Sequence, residues 1–329
     1  RVQFLSTGRA TPKRQVETAS LERDLGLAQG QLEASTRVLS RFHCDGETQI
    51  DLAVAACQAA LEGADCEAAD VDLMISAAAV AYQPIPTMAP LVMREIGIPD
   101  GHACAFDVNS TCLSFLTAVE TAALRIAAGL NTRALVFSSE VASCALPWHA
   151  QPEVAALFGD GAAAIVLGRS ERDETSEIAA CLMRSYPSAW EACAIGAGGT
   201  RYNFETDQRA FSQNVQFSMD GKELFRITSR HFSGFLDELL DRAGWTRAEV
   251  DLVVPHQASP AGLDHLVRQS GFPPDLVMNI AASFGNQVAA SIPFALDMAR
   301  REARFKRGDK LLMLGTSAGV SLGGMAMTW

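Results

Sequence analysis

The chain has 329 residues, of which 48% are hydrophobic and 20% are charged. This composition indicates a globular protein with a large core and excludes a disordered chain, a collagen-like repeat and a small disulfide-stapled domain. The net charge of −11 argues against nucleic-acid binding, because phosphates are neutralised by a concentrated basic face. No apolar run reaches the roughly 18 residues that cross a bilayer, and the residues from Arg1 to Phe4 show no signal-peptide pattern. We therefore expect a cytoplasmic protein with no membrane partner.

The eight cysteines form no CxxC pair and no Cys/His spacing typical of a zinc site. In a cytoplasmic chain most cysteines behave as small buried hydrophobic residues. We therefore expect no metal site.

Short β-branched runs alternate along the chain with longer Ala- and Leu-rich helical patterns, which predicts an α/β fold with mostly buried strands. Two predicted strands recur after about 178 residues, each preceded by a helix. The matching pairs are 71–76 with 250–256, and 133–139 with 310–316. This repetition predicts an internal duplication with two similar halves, residues 1–170 and residues 171–329.

Residues 183–218 lose the apolar periodicity and gather glycines, polar residues and aromatic side chains. Aromatic residues such as Trp190 and Phe211 are unusual in a solvated linker. We therefore predict a lid-like insertion in the second half, covering a site.

Cys112 is the first candidate catalytic residue, because it lies between a predicted strand at 105–108 and a predicted helix at 113–130. A thiol at the N-terminus of a buried helix meets the positive end of the helix dipole, so we expect its pKa to fall and the thiolate to act as a nucleophile. The alternative is a small buried cysteine at a tight junction.

His256 follows the predicted strand 250–254, at the edge where α/β sheets form their sites. Asn286 lies in a glycine-containing turn that opens a helix. If neither residue has a catalytic role, His256 is a packed histidine and Asn286 is a helix cap. The Gly159-Asp160-Gly161 segment lacks the lysine and spacing of a phosphate loop, so it is predicted to be a tight structural turn.

Six segments together resemble, in order and spacing, the motifs of β-ketoacyl-ACP synthase III, a family of thiolase-fold condensing enzymes. They are DVNSTCLSFL, LFGDGAAAIVLG, FSMDGKELFRIT, PHQASP, FGNQVAASIP and GDKLLMLGTSAGVSLGGMAM. The resemblance spans almost the whole chain. It implies a five-layered α-β-α-β-α body built from two duplicated βαβαβ halves.

The family's catalytic triad falls on Cys112, His256 and Asn286. The resemblance implies that Cys112 is acylated by a thioester and that His256 and Asn286 donate hydrogen bonds to a malonyl thioester as it loses CO2. It also implies an oxyanion hole formed by the backbone N–H groups of Cys112 and Ala318. The product is a β-ketoacyl thioester, in fatty-acid or polyketide-type secondary biosynthesis.

The resemblance further implies a homodimer that uses acyl-CoA or acyl-carrier-protein thioesters and holds no permanently bound cofactor. Six residues are predicted to line the substrate tunnel or the lid: Ile85, Met88, Trp190, Phe211, Phe225 and Ser259. An acidic carrier protein would dock on a basic patch, drawn from Arg226, Arg230, Arg268, Arg300, Arg301 and Lys306.

The sequence departs from the family pattern at three positions, and these departures leave other functions possible. Leu32 and Pro152 occupy the positions of the tryptophan and arginine that clamp the CoA adenine, and neither can stack on a base, which favours loading from a carrier protein. Ile85 occupies the position of the carboxylate base used by the olefin branch, so condensation of two acyl chains without loss of CO2 is disfavoured. Acyl transfer to an alcohol or amine stays possible. A catalytically silent partner subunit is also possible, although the intact triad argues against it.

Overall fold

The computed structural model describes residues 1–171 and 174–329. Its strands are β1 (Val2–Ala10), β2 (Arg14–Glu17), β3 (Ser40–His43), β4 (Leu73–Ser76), β5 (Cys104–Asp107), β6 (Arg133–Glu140), β7 (Gly161–Arg169), β8 (Glu177–Ser185), β9 (Cys193–Ala194), β10 (Ser218–Met219), β11 (Leu252–Pro255), β12 (Lys310–Ser317) and β13 (Ser321–Thr328). Its α-helices are α1 (Thr18–Asp24), α2 (Gln31–Thr36), α3 (Gln49–Gly63), α4 (Met88–Ile96), α5 (Ser114–Ala127), α6 (Pro152–Ala155), α7 (Gln208–Asn214), α8 (Gly221–Ala243), α9 (Pro260–Ser270), α10 (Ala281–Phe284) and α11 (Ser291–Arg301).

The strand order and the strand directions of the first large sheet recur in the second. The first sheet runs β1-β7-β6-β4-β5, with antiparallel pairs at β1-β7 and β7-β6 and parallel pairs beyond. The second runs β8-β13-β12-β11, antiparallel at β8-β13 and β13-β12 and parallel at β12-β11. The division into halves at 1–170 and 171–329 stays a prediction, and the repeated strand order is what a duplication would produce.

Helices cover both faces of each sheet, which gives five layers. Helices α3 and α4 pack on the outer face of the first sheet, α5 and α11 lie between the sheets, and α8 packs on the outer face of the second sheet. Strands β4 and β11 are buried along their whole length, as expected for parallel strands between helical layers. The predicted five-layered α/β fold is confirmed.

Two segments differ from their sequence predictions. Residues 183–185 belong to β8, where they pair with β13, so the insertion begins after them; it then contains a 3-10 helix at Pro187–Ala192, the β9-β10 pair and α7. The Gly159-Asp160-Gly161 segment is not a tight turn. It is an extended entry into β7 that packs against the segment carrying Asn286.

Within the described ranges, no helix combines the length and the apolarity needed to cross a membrane.

Candidate active site

Cys112 lies in the short connection between β5 and α5, in the centre of the molecule. The carboxylate of Asp107, the last residue of β5, accepts hydrogen bonds from the backbone N–H groups of Met88 and Ala89, each at 2.8 Å, and so ties the end of β5 to the start of α4. Thr111 adopts a left-handed conformation with φ of 51°. The connection therefore turns sharply immediately before Cys112.

Burial raises the pKa of the Cys112 thiol, and the nearby Cys193 and Glu140 side chains raise it further. The backbone N–H groups of Cys112 and Ala318 act in the opposite direction. The expectation of a lowered pKa is therefore wrong for the free protein, because removal of the thiol from water outweighs the favourable dipole of α5. Cys112 is a thiol at rest.

The two backbone N–H groups predicted to form an oxyanion hole do lie together. Both the N–H of Cys112 and that of Ala318 are directed at the Cys112 sulfur. Ala318 lies in the connection between β12 and β13, which the Ser317–Ser321 pair closes. An acyl group attached to the sulfur would place its carbonyl oxygen beside these two donors.

His256 directly follows β11 and is only 5% exposed. Its backbone N–H donates to the carbonyl of Leu314 at 2.7 Å, which extends the pairing of β11 with β12. Its Nδ1 is buried with no partner among the described residues, and the residue lines the central cavity. Burial lowers the pKa of His256 to about 4, so the ring is neutral at physiological pH and can donate one N–H without carrying a charge.

Asn286 is held by hydrogen bonds that fix the orientation of its amide. Its Oδ1 accepts from the N–H of Val288 at 2.8 Å, and its Nδ2 donates to the carbonyl of Ala258 at 3.3 Å. Because Oδ1 is occupied, the Nδ2 group is the end of the side chain that is free to donate to a ligand. The local fold thus presents a donor beside His256.

The backbone of Asn286 is held by the first half of the chain. Its N–H donates to the carbonyl of Leu157 at 2.8 Å, and its carbonyl accepts from the N–H of Gly159 at 3.1 Å. A Cβ at Gly159 would lie 2.3 Å from the carbonyl oxygen of Phe284. The glycines of this segment therefore permit a close backbone contact that positions Asn286.

One cavity of about 770 Å³ connects all four of these groups. Cys112, His256, Asn286 and Ala318 line it, and so do three of the predicted tunnel residues, Trp190, Phe225 and Ser259. Part of the lining is an apolar cluster formed by Ala142, Leu146, Leu157, Phe158, Phe217 and Val288. Another part belongs to α8 and α9.

The other three predicted tunnel residues do not line this cavity. Met88 is 2% exposed and packs in the core between α3, α4 and the first sheet, because its position at the capped start of α4 directs it inward. Ile85 is 87% exposed on the loop before α4. Phe211 lies on α7 and packs edge-on against Phe204 with ring centroids 5.4 Å apart.

The expected adenine-clamp positions cannot hold a base. Leu32 is 1% exposed inside α2, and Pro152 is the first residue of α6. Neither side chain is both planar and accessible, as stacking on adenine requires.

Sequence reasoning missed Glu140 and Cys193, which both lie close enough to Cys112 to affect its pKa. Glu140 ends β6, next to the predicted strand 133–139. A carboxylate at the C-terminal end of a buried strand is a signal of the kind that led to His256. Cys193 gives no comparable signal, because its strand is two residues long. The described residues contain no cluster of three or more His, Cys, Asp or Glu side chains that could hold a metal ion.

Two family models match this chain. Residues 106–187 match the family model 3-oxoacyl-[acyl-carrier-protein] synthase III, and residues 240–329 match the model of its C-terminal part. The chain is 32% identical to beta-ketoacyl-[acyl-carrier-protein] synthase III 3 of Streptomyces coelicolor, over 98% of this chain and 95% of that protein. The chain belongs to the β-ketoacyl-[acyl-carrier-protein] synthase III family.

Two further members agree over their full length. The synthase III of Rhizorhabdus wittichii is 33% identical, over 100% of this chain and 99% of that one. The crystal structure of 3-oxoacyl-[acyl-carrier-protein] synthase III from Aquifex aeolicus VF5 superposes with a TM-score of 0.89, covering 100% of both chains at 29% identity. The resemblance seen in the six motifs is thereby confirmed.

Proposed function

We propose that this protein is a condensing enzyme that carries an acyl group on Cys112 and extends it with a malonyl thioester. The observation that supports this function best is that Cys112, His256, Asn286 and the N–H of Ala318 line one cavity. Each of them supplies a different part of the chemistry. No permanently bound cofactor is needed.

In the first half-reaction the Cys112 sulfur attacks the carbonyl carbon of an acyl thioester. The carbon–sulfur bond of the donor breaks, and the donor thiol leaves with the proton that Cys112 gives up. The N–H groups of Cys112 and Ala318 stabilise the oxyanion that forms on the carbonyl oxygen. The acyl chain lies against the apolar cluster that contains Leu146 and Phe158.

In the second half-reaction a malonyl thioester enters beside His256 and Asn286. Its carbon–carboxylate bond breaks, CO2 leaves, and the electron pair moves to the thioester oxygen as an enolate. The neutral His256 ring and the Asn286 Nδ2 group donate hydrogen bonds to that oxygen. The enolate carbon then attacks the acyl carbonyl, the bond to Cys112 breaks, and the released thiolate takes one proton from solvent to regenerate the thiol.

The donor that this site favours is an acyl carrier protein, because Leu32 and Pro152 offer no clamp for adenine. Lys222 and Arg230 lie on α8, which lines the cavity, and an acidic carrier would dock near them. Arg226 lies on the same helix but is paired with Glu223. Arg300 and Arg301 are excluded from this patch, because both are paired with the buried Asp297.

We also propose a cytoplasmic homodimer. The loop before α4 exposes two large apolar side chains, Ile85 at 87% and Tyr82 at 45%, and a second copy of the chain would cover them. Sedimentation of the wild-type protein at micromolar concentration tests this, and Ile85→Asp should shift it towards the monomer. A wild-type monomer would contradict the dimer.

The test of the proposed activity is intact-protein mass spectrometry after incubation with a panel of acyl-CoA and acyl-carrier-protein thioesters, followed by malonyl-carrier protein. We expect a mass increase that requires Cys112, is absent in Cys112→Ala, and is discharged as a β-ketoacyl thioester. An acyl group that malonyl-carrier protein leaves in place, but that an alcohol or amine removes, would instead indicate acyl transfer. Failure of every thioester to acylate Cys112 would indicate a silent subunit.

The structure also bears on condensation without loss of CO2, which requires a carboxylate base. Among the described residues, none of those lining the cavity carries a carboxylate. Ile85 cannot accept a proton, and the oxygens of the nearby Glu140 already accept backbone hydrogen bonds. The decarboxylative reaction is therefore the better match to this cavity.

A further inference from the structure

Glu140 is a buried carboxyl group for which the proposed reaction has no use. It is the last residue of β6, it is 0% exposed, and it does not line the cavity. Burying a charged side chain is costly unless it is paired or hydrogen-bonded. Its contacts therefore indicate what the carboxylate does.

The two carboxylate oxygens hold the wall of the active-site cavity. Oε1 accepts the N–H of Ala79 at 2.5 Å, and Oε2 accepts the N–H of Val80 at 3.3 Å. Both Ala79 and Val80 line the cavity beside Cys112. One side chain thus fixes the segment that follows β4.

The same carboxylate also reaches the turn that follows Asn286. The N–H of Ala289 is directed at it, and the adjacent Val288 adopts an unfavourable left-handed conformation with φ of 51°. The N–H of Val288 is the donor that fixes the Asn286 Oδ1. Glu140 therefore stabilises the strained turn that orients the Asn286 amide.

Burial raises the pKa of Glu140 to about 8, and the N–H groups of Ala79, Val80 and Ala289 act in the opposite direction. The carboxyl group therefore acts on this region through its hydrogen bonds. We propose that Glu140 is a positioning residue that holds the wall at Ala79 and Val80 and the turn after Asn286, and so orients Asn286 for the decarboxylation step. This inference rests on the proposed function.

The test compares Glu140→Gln with the wild type in two assays. The glutamine keeps the size of the side chain but replaces one acceptor oxygen with an amide group that donates. We expect the malonyl-dependent condensation rate to fall about tenfold or more, since small displacements of catalytic groups are costly, while the rate of Cys112 acylation is unchanged. We also expect amide hydrogen exchange in the peptide that contains Val288 and Ala289, read by mass spectrometry, to become faster, because the turn loses a hydrogen-bond partner.

Two further variants separate positioning from general stability. Glu140→Asp keeps the carboxyl group but is too short to reach the same N–H groups, so it should slow condensation and speed the exchange as Glu140→Gln does. Asp72→Asn is the matched control, because the Asp72 carboxylate also accepts two backbone N–H groups, from Thr132 and Arg133, at the opposite end of the first sheet. It should change neither assay.

An unchanged ratio of condensation to acylation together with unchanged hydrogen exchange in Glu140→Gln would overturn the proposal. If that variant does not fold, the Glu140→Asp variant carries the same test of positioning. Hydrogen exchange needs no acyl substrate, so it tests the effect on the turn even if the wild type proves unable to condense malonyl thioesters. Failure of the proposed function and failure of this inference are therefore distinguishable.

Discussion

Gly159 offers a sharp test of how the fold positions Asn286. A Cβ at this position would lie 2.3 Å from the Phe284 carbonyl oxygen and 3.0 Å from the Cβ of Arg41. Arg41 is fully buried and is held by hydrogen bonds to Thr18 and to the carbonyl of Ala156, so it cannot retreat. Gly159→Ala therefore has to displace the segment from Phe284 to Asn286.

The size of this displacement follows from the contact. An ordinary contact for a Cβ begins near 3.4 Å, so the Phe284 carbonyl has to move by about 1.1 Å. A misplacement of about 1 Å at a catalytic group costs on the order of a hundredfold in rate. We expect the malonyl-dependent step to slow by about that factor, with Cys112 acylation changed by less than about threefold, because Cys112 is held by the β5–α5 connection and not by this segment.

Single-turnover kinetics separate the two steps, with acylation followed by mass spectrometry and condensation by discharge of the acylated protein. The matched control is Gly234→Ala in α8, where an added Cβ meets nothing within 4 Å; it should leave both rates unchanged and raise the stability of the helix by up to about 1 kcal/mol. A folded Gly159→Ala protein that condenses at the wild-type rate would refute this account of Asn286.

Three other predictions follow from the same geometry. Asn286→Ala should leave Cys112 acylation intact and slow condensation by about 10²–10³-fold in the discharge assay, because one oxyanion donor is lost; equal losses in both steps would contradict it. The pKa of His256 is about 4 in the folded protein, against an ordinary value of 6.5. Protonation of the unfolded chain at this residue therefore costs no stability above pH 6.5, and the loss of stability grows as the pH falls from 6.5 and is complete below 4. Urea unfolding at pH 7 and 4.5 should therefore show that His256→Gln removes up to about 3 kcal/mol of the acid-induced loss of stability. Asp297 is fully buried and accepts from Arg9 and Arg301 at 3.1 and 2.7 Å, so Asp297→Asn should lower the free energy of unfolding by about 2 kcal/mol while leaving Cys112 acylation unchanged.

The parts of the fold that could be predicted are those with a strong local pattern. Strands β4 and β11 and the helices before them are visible because buried parallel strands form continuous apolar runs. The triad could be predicted from the sequence because each member lies in a motif at the C-terminal end of a strand or at the start of a helix, and its catalytic role stays a prediction. These signals depend only on neighbouring residues.

The parts that could not be predicted depend on contacts between distant residues. Met88 was expected in the tunnel, but Asp107, 19 positions later, caps the start of α4 and directs Met88 into the core. The pKa of Cys112 is expected from its place before α5 to fall, but burial raises it, and so do Glu140 and Cys193, which are distant in the sequence. The role of the Gly159 segment depends on Asn286, which lies 127 positions further along. No local pattern reports such contacts.

The charges around the cavity support the proposed loss of CO2. Cys112 is a thiol and His256 is neutral at rest, and no Lys or Arg is found among the described residues that line the cavity. In the proposed reaction, a malonyl carboxylate that enters here is desolvated without gaining a cationic partner. As CO2 leaves, the negative charge moves to the thioester oxygen, where we propose that His256 and Asn286 act as donors that were in place beforehand. Such a cavity offers little to the charged reactant and stabilises the enolate, and this difference would lower the barrier to decarboxylation.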